Sequence, residues 1–300
     1  MASENKQSKQ GLSDKINYAI LIIISVLIII IVAYPLYYVL IASFSDPYDV
    51  YAGKTLLLPS NFTLSGYKAV FAEPKLIRGF LNSVIYTSLG TIYSVLMVIA
   101  VAYPLSKRDM PFRTALSVFF LITMYFGGGL IPSYLVVKET GLLGNILALF
   151  LPGGVAVGHV ILTRNYFERS IPEELIESAE IDGASQLTIL NKVILPLSKP
   201  ILAVIVIFSM VAYWNDWFTP MIYLSQDQAS FQLVLRDVLT ASSISASQSS
   251  MVSGGYAELN KVTESIKFAS IIVASAPMLI IYPFVQKYFE KGLFAGSVKG

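Results

Sequence analysis

The sequence contains no cysteine and a single histidine, His159, and only 13% of its 300 residues are charged. Without cysteine the chain has no disulfide bond, thiolate metal ligand or thiol nucleophile. One histidine excludes a histidine-rich metal site. The charged share is about half of that in an average globular chain, which is too little to cover a soluble surface. The net charge of +2 gives no reason to expect a nucleic-acid partner.

Motifs for nucleotide hydrolysis and covalent catalysis are also missing. Gly127-Gly128-Gly129 lacks the Lys-Ser/Thr pair and the helix start of a phosphate loop, so it favours a bend or a close helix contact. His159 has no second group for a proton relay or a Ser/His/Asp set, and we predict that it is a packing residue. One acidic cluster would suit a divalent cation, but a solvated helix face is the simpler interpretation: Glu173, Glu174, Glu177, Glu180 and Asp182. We therefore expect that the chain is not an enzyme and binds no cofactor or metal itself.

Long apolar runs are what the sequence has in abundance. Hydrophobic residues make up 55% of the chain, and the mean hydropathy is +0.67. Six runs reach the length of about 20 residues that a helix needs to cross a bilayer. We predict an all-α integral membrane protein with six transmembrane helices, at about 18–44, 79–106, 114–137, 141–163, 201–224 and 268–286.

The predicted membrane domain extends over residues 16–291, between polar tails at 1–15 and 292–300. The first apolar run is longer than a signal-peptide core and has no cleavage site, so we expect it to be retained. Thirteen Lys and Arg residues fall on the side of the termini and eight on the other side. Because positive charge is enriched on the cytoplasmic side, both termini are predicted to be cytoplasmic in a multi-pass protein of the cell membrane.

The segment 170–200 is amphipathic and acidic, and by the same count it is cytoplasmic. Ser170 predicts a helix start, since its hydroxyl can cap the amide three residues later. Gly183 predicts the end of this helix, because glycine adopts the left-handed conformation at low cost. A second short helix is predicted over 184–195, ended by Pro196.

The spacing within this segment carries a resemblance. Three residues separate Glu177-Ser178-Ala179 from Gly183, and nine separate Gly183 from Val193-Ile194-Leu195-Pro196. This pattern resembles the EAA loop of membrane subunits of binding-protein-dependent ABC importers. The family pattern has alanine where Ser178 stands and isoleucine where Val193 stands. In that family the loop is a coupling helix that docks in a cleft of the ATP-hydrolysing subunit. The coupling residues that the resemblance implies are Glu177, Ser178, Ala179, Asp182, Gly183, Leu195 and Pro196.

Further motifs extend the resemblance over nearly the whole chain from Tyr34, and they are similar to the six-span, maltose-type branch that takes up carbohydrates. These motifs are Asn61–Leu64, Asn82-Ser83, Gly127–Pro132, Trp214–Phe218 and the ending Gln286–Gly300. The resemblance implies a type I ABC importer fold that works by alternating access on an oligosaccharide or glycan. It also implies a homologous second permease as heterodimer partner, two ATPase subunits that hold ATP and Mg, and an extracellular or periplasmic sugar-binding protein.

Asp216 stands inside an otherwise uncharged apolar run, where a carboxylate facing lipid is costly. Aromatic faces beside amide and acid groups suit sugar rings, so we predict that this stretch lines or gates the substrate route. An aromatic belt at the membrane interface would have the same composition and remains an alternative. Trp214 and Trp217 are three residues apart and are expected on one side of a helix. The residues assigned to the route are Tyr213, Trp214, Asn215, Asp216 and Trp217.

The competing functional class is a self-contained secondary transporter or channel. A carrier driven by protons or sodium is expected to hold more ionisable groups or broken helices at mid-membrane, whereas only Asp216 and His159 qualify here. The sequence therefore favours the permease subunit of an ABC importer.

Overall fold

The computed structural model describes residues 12–249 and 256–293, with side-chain surroundings for 16–240, 266–283 and Gln286. Every regular element in these ranges is helical, which confirms the predicted all-α class. The chain divides into two compact units, residues 1–69 with 245–272 and residues 70–244 with 273–300.

Within the described residues the helices follow one another along the chain, and 3-10 turns lie at Ile146–Leu149 and Gln226–Gln228. Their bounds are α1 Leu12–Ser43, α2 Pro47–Tyr51, α3 Ser65–Ala72, α4 Pro74–Ser106, α5 Arg113–Tyr125, α6 Leu130–Glu139, α7 Val157–Ser170, α8 Glu173–Ile181, α9 Gln186–Ile189, a π turn Leu190–Ile194, α10 Leu195–Leu197, α11 Lys199–Trp214, α12 Phe218–Tyr223, α13 Phe231–Ser249 and α14 Tyr256–Leu293.

The first unit contains α1 and a folded loop that follows it. The apolar side chains of α1 are exposed along most of its length, as expected of a helix that faces lipid. In the loop, the carboxylate of buried Asp49 accepts hydrogen bonds from Lys54 Nζ (3.1 Å) and Asn61 Nδ2 (2.6 Å). The hydrogen bond from Lys54, followed by that from Asn61, holds the pKa of Asp49 below its usual range.

The core of the second unit lies where α4, α7 and α11 pack together. Val98 of α4, Val160 of α7 and Ile205 of α11 are all at most 1% exposed. Small residues on α4 allow α11 to approach closely, as is typical of membrane helices. Gly90 lies against the ring of Tyr213, and a line of buried hydroxyl-bearing residues follows the same face of α4: Ser83, Thr87, Thr91 and Ser94.

Two predicted spans are interrupted by turns. The run 114–137 is divided into α5 and α6, which meet at 111°, and Gly129 at the break has φ +87°. This confirms a bend, which was one of the two possibilities that the three glycines indicated. The run 141–163 begins with turns and a 3-10 helix, and α7 starts only at Val157. Hydropathy alone did not show this interruption, although Pro152 and the two glycines after it are helix breakers.

A third predicted span, 201–224, is also not one helix, because α11 ends at Trp214 and α12 begins at Phe218. Among the described residues three helical segments are long and apolar enough to cross a membrane, namely Ile16–Ser43, Pro74–Ser106 and Ile266–Pro283. The number rises to five if each of two bent helix pairs is counted as one span. Six spans therefore remain a prediction.

The ends of the predicted membrane domain are partly described. Helix α1 already begins at Leu12, within the predicted tail 1–15, and residues 1–11 lie outside the described part of the chain. Helix α14 continues to Leu293, and residues 294–300 of the second predicted tail also lie outside it.

Candidate functional site

The segment 170–200 contains a helix that ends as the sequence predicts. Gly183 has φ +76°, and its amide donates to the carbonyl of Glu180 (3.0 Å). The amide of Ala184 donates to the carbonyl of Ala179 (3.0 Å). Together these two bonds form a Schellman motif, which satisfies the last carbonyls of α8 and turns the chain sharply.

The start of this helix differs from the prediction. Ser170 does not cap α8, since it is the last residue of α7. Pro172 stands at the N-cap of α8, and its ring carries no acceptor for a backbone amide. Ile171 between the two helices is only 6% exposed, so burial of this side chain fixes the connection instead.

The second helix also differs, because Pro196 does not end it. The hydroxyl of Ser185 accepts from the amide of Thr188 (3.3 Å) and starts α9. A π turn follows, in which the amide of Leu195 donates to the carbonyl of Leu190. This spacing of five shifts the carbonyls away from α-helical register, which accommodates a proline ring that would otherwise clash four residues back. The chain then bends by 83° before α11.

The inner face of the segment is anchored in the core of the second unit. Ile189 and Ile194 are 0% and 2% exposed, and they belong to the same buried cluster as Tyr103 and Phe167. Ile176, Ala179 and Ala184 pack against this cluster from α8 and its turn. Burial on this scale stabilises the segment by about 1.5–3 kcal/mol for each fully buried Ile side chain.

Polar contacts hold α8 to the end of α4. Lys107 Nζ lies 3.1 Å from Glu180 Oε1, and Gln186 Nε2 donates to the same oxygen at 3.1 Å. The amide oxygen of Gln186 in turn accepts from the hydroxyl of Tyr103 (2.8 Å). The hydrogen bond from Lys107, with that from Gln186, keeps the pKa of Glu180 below its usual range. This network fixes the orientation of α8.

The opposite face of α8 is open. Glu174, Glu177, Ser178 and Ile181 follow one another at helical spacing and are all exposed. Ile181 is 86% exposed, and Leu187 on α9 is 70% exposed. Neither was predicted as a site residue, although single apolar residues in a polar segment that is predicted to be cytoplasmic were a usable signal. Of the residues predicted for coupling, Glu177, Ser178, Asp182, Gly183 and Pro196 are exposed, and Ala179 and Leu195 are half-buried.

A charge cluster joins the helix that precedes α8 to its neighbours. Arg113 and Arg164 both bind Glu168 Oε1, the latter through Nε at 2.8 Å. Arg113 Nε also donates to the carbonyl of Leu105 (2.9 Å), and Arg164 Nη1 donates to Ser117 Oγ (2.9 Å). Burial alone raises the pKa of Glu168, but the hydrogen bonds and charges of Arg164 and Arg113 outweigh it and lower this pKa. The cluster connects the ends of α4, α5 and α7.

Replacing Glu168 by glutamine is expected to reduce stability in a pH-dependent way. A carboxyl whose folded pKa is lowered contributes stability above its unfolded pKa of about 4.3, and this contribution is lost as the pH falls through the folded value. The melting temperature of the purified protein should differ most from that of Glu168→Gln at pH 7, and the difference should shrink towards pH 3. The exposed control Glu139→Gln should show no such change, and a constant difference at all pH values would contradict the ionic role.

The residues predicted for the substrate route fall into two groups. Trp214 is 2% exposed, donates from Nε1 to the carbonyl of Ala274 (2.9 Å) and packs edge-on against Phe80. Tyr213 packs edge-on against Phe150. The expectation that Trp214 and Trp217 share a helix side was wrong, because α11 ends at the first of them.

Asp216 and its neighbours are more accessible. Asp216 Oδ1 accepts from the amides of Phe218 (3.1 Å) and Thr219 (3.0 Å), so this carboxylate caps α12. The negative charge at a helix start is stabilising, which offsets part of the cost of placing it there. Asn215 is exposed, and Trp217 is half-buried beneath Arg236. Of the predicted route residues, Trp214 is therefore buried, Asn215 is exposed, and Tyr213, Asp216 and Trp217 are half-buried.

Comparison with known proteins gives a consistent result. The family model of the binding-protein-dependent transport system inner membrane component matches residues 63–295. The chain is 38% identical over 295 residues to the polygalacturonan/rhamnogalacturonan transport system permease protein YtcP of Bacillus subtilis, covering 97% of this chain and 100% of that one. It is 28% identical to the melibiose/raffinose/stachyose import permease protein MelC of the same organism, covering 89% of this chain and 91% of that one.

A solved structure supports the fold. One chain of a bacterial ABC transporter involved in the import of the acidic polysaccharide alginate has a TM-score of 0.83 and 29% identity, and the match covers 93% of this chain and 98% of that chain. This similarity confirms the predicted type I importer fold and the multi-pass membrane location. The chain therefore belongs to the family of binding-protein-dependent transport system inner membrane components.

Proposed function

We propose that this chain is the permease subunit of an ABC importer that moves an oligosaccharide into the cytoplasm. Family membership supports the transport role, and relatives named for polygalacturonan/rhamnogalacturonan and for melibiose, raffinose and stachyose support a carbohydrate substrate. The orientation with both termini in the cytoplasm rests on the distribution of Lys and Arg.

The coupling role rests on one observation, which is the contrast between the two faces of α8. Its inner face is fixed by Ile176, by Ala179 and by the Lys107–Glu180 ion pair, while Glu177 and Ile181 project outward. A helix that is fixed on one side and exposes apolar and acidic side chains on the other is suited to dock in a cleft. The partner would be an ATPase subunit that holds ATP and Mg, and a movement of that subunit would reach α7 and α11 through this segment.

The remaining partners follow from the same family role. A homologous second permease would complete the membrane part, and two ATPase subunits would bind the cytoplasmic side. A sugar-binding protein would contact the outer segment between α12 and α14. That segment contains α13, which includes a Ser-rich stretch and is helical as far as Ser249.

The test is to change the exposed face of α8 in the complete importer reconstituted in vesicles. Glu177→Lys reverses the charge of that face, and Ile181→Glu removes its most exposed apolar side chain. Each is expected to lower sugar uptake and sugar-stimulated ATP hydrolysis by about tenfold or more, the size of a typical hot-spot loss. Glu139→Lys, an equivalent charge reversal on the side predicted to be outer, is the control and should behave as wild type.

Membrane insertion and yield of the isolated chain should be unchanged in all three variants, because the altered side chains are exposed. Normal uptake and hydrolysis in both Glu177→Lys and Ile181→Glu would contradict the coupling role. Uptake that continues without the ATPase subunits would favour the self-contained transporter instead.

A further inference from the structure

An arginine lies over the ring of the tryptophan that follows the end of α11. The guanidinium carbon of Arg236 on α13 lies 4.4 Å from the ring centroid of Trp217. The two side chains border an open cavity of about 450 Å³, which is within the size range of small-molecule sites. The cavity is lined by Trp217, Gln232, Leu235, Arg236, Leu239 and Thr240.

The hydrogen-bonding capacity of Arg236 is largely unused. Among the described residues, the hydrogen-bond acceptor within its reach is the thioether sulfur of Met221, at 3.7 Å from Nη1. Asp237 Oδ1 is also 3.7 Å from Nη1, which is beyond a hydrogen bond, and its side chain is 68% exposed. Solvent screens such an exposed pair strongly. Arg236 thus keeps most of its donors available while its guanidinium lies over an indole ring.

This arrangement suits a carboxylate better than it suits a neutral hydroxyl. A guanidinium binds a carboxylate through two parallel N–H···O bonds, and contact with an aromatic ring fixes the orientation of these N–H donors before the ligand arrives. The Nε1–H of Trp217 has no acceptor in the described part of the chain and is a further donor. Gln232 offers an amide for ligand hydroxyls, and Leu235 offers an apolar surface for C–H groups.

The position fits the route of a substrate. Trp217 follows directly after Asn215 and Asp216, at the end of α11 that lies away from the segment 170–200. On the predicted orientation this end faces outward, where an arriving sugar would first meet the permease.

We propose that the Arg236–Trp217 pair forms a subsite for an acidic sugar residue, whose carboxylate is bound by Arg236. The inference rests on the proposed function and narrows it to oligosaccharides that contain uronate residues. Trp217 acts by holding Arg236 in place, and Gln232 and Leu235 contact the sugar ring.

The probe is an α-linked trisaccharide of galacturonate, compared with its methyl ester, which has the same ring but no charge. Uptake of both is measured in vesicles that contain the complete importer and ATP. Arg236→Gln is expected to lower uptake of the acid by about tenfold or more, because a charge-assisted pair is lost, and uptake of the ester by no more than about twofold. Arg236→Lys keeps the positive charge but lacks the paired N–H donors of the guanidinium, so it should retain part of the uptake of the acid.

Lys75→Gln, which removes an exposed cation from the start of α4, is the matched control and should leave the ratio of acid to ester unchanged. An equal loss for acid and ester in Arg236→Gln, or no loss, would overturn the subsite. A loss that appears only in vesicles with anionic lipid would assign Arg236 to a lipid headgroup and would equally overturn it.

The same measurement separates this inference from the proposed function. If the wild-type importer takes up a neutral trisaccharide of galactose but not the acid, the subsite is wrong and carbohydrate transport stands. If it takes up the acid, the ester and the neutral sugar no faster than vesicles without the permease, the proposed function fails as well.

Discussion

Replacing Trp214 by alanine is expected to destabilise the folded permease by about 3–5 kcal/mol, the usual cost of removing a large aromatic side chain from a core. The indole is 2% exposed, contacts Phe80 and donates its N–H to the carbonyl of Ala274. The change therefore leaves a cavity and removes a link from α11 to both α4 and α14. We expect little folded protein after detergent extraction and a clear fall in melting temperature.

The second tryptophan of the chain is the natural control. Trp217 is half-buried, so Trp217→Ala should cost about 1 kcal/mol or less, mainly through the lost contact with Arg236. Its yield and melting temperature should stay close to wild type. Similar losses in the two variants would contradict the assignment of one residue to the core and the other to an accessible surface.

Replacing Gly90 by leucine is also expected to destabilise the folded protein, because it adds atoms to a close helix contact. A Cβ atom at this position would lie 2.8 Å from atoms of the Tyr213 ring, and that ring is in edge-on contact with Phe150. Overpacking of a close contact costs about 1–3 kcal/mol and occasionally more, and leucine adds three further carbon atoms. We expect α4 and α11 to separate and the importer complex to assemble poorly, as measured by size-exclusion chromatography and melting temperature.

Gly158→Leu on α7 is the matched control. It also replaces a helical glycine, but no heavy atom of the described residues lies within 4 Å of the added Cβ. Leucine is the better helix former by up to about 1 kcal/mol, so this variant should be as stable as wild type or slightly more stable. A stable Gly90→Leu protein would show that the fold does not require the close approach of α11 to α4.

Features set by a few neighbouring residues could be predicted from the sequence. The left-handed turn at Gly183 is an example, because its two hydrogen bonds, from Gly183 to Glu180 and from Ala184 to Ala179, join residues that are close in sequence. The bend at the three glycines is another. The all-α class followed from apolar runs of membrane length, and the family followed from the spacing of Glu177, Gly183 and Pro196.

Features that depend on distant residues could not be predicted in this way. The sequence around Ser170 contains a good capping pattern, but α7 continues through it because Phe167 and Ile171 are buried in the core. The composition of Tyr213–Trp217 is the same whether a residue faces a core or a cavity. Only the positions of Phe80 and Arg236, far away in sequence, distinguish Trp214 from Trp217.

The bend of 83° between the stretch Gln186–Leu197 and α11 has a mechanical consequence. The two parts are one continuous chain, with buried Ser198 between them, and α11 extends for 16 residues beyond the bend. At 1.5 Å per residue this helix is about 24 Å long, so a rotation of about 5° at its first turn displaces its far end by about 2 Å. That end carries Asn215 and Asp216. A displacement of about 2 Å exceeds the range of hydrogen-bond lengths, so a small tilt at the bend is enough to make or break a hydrogen bond at this end of α11.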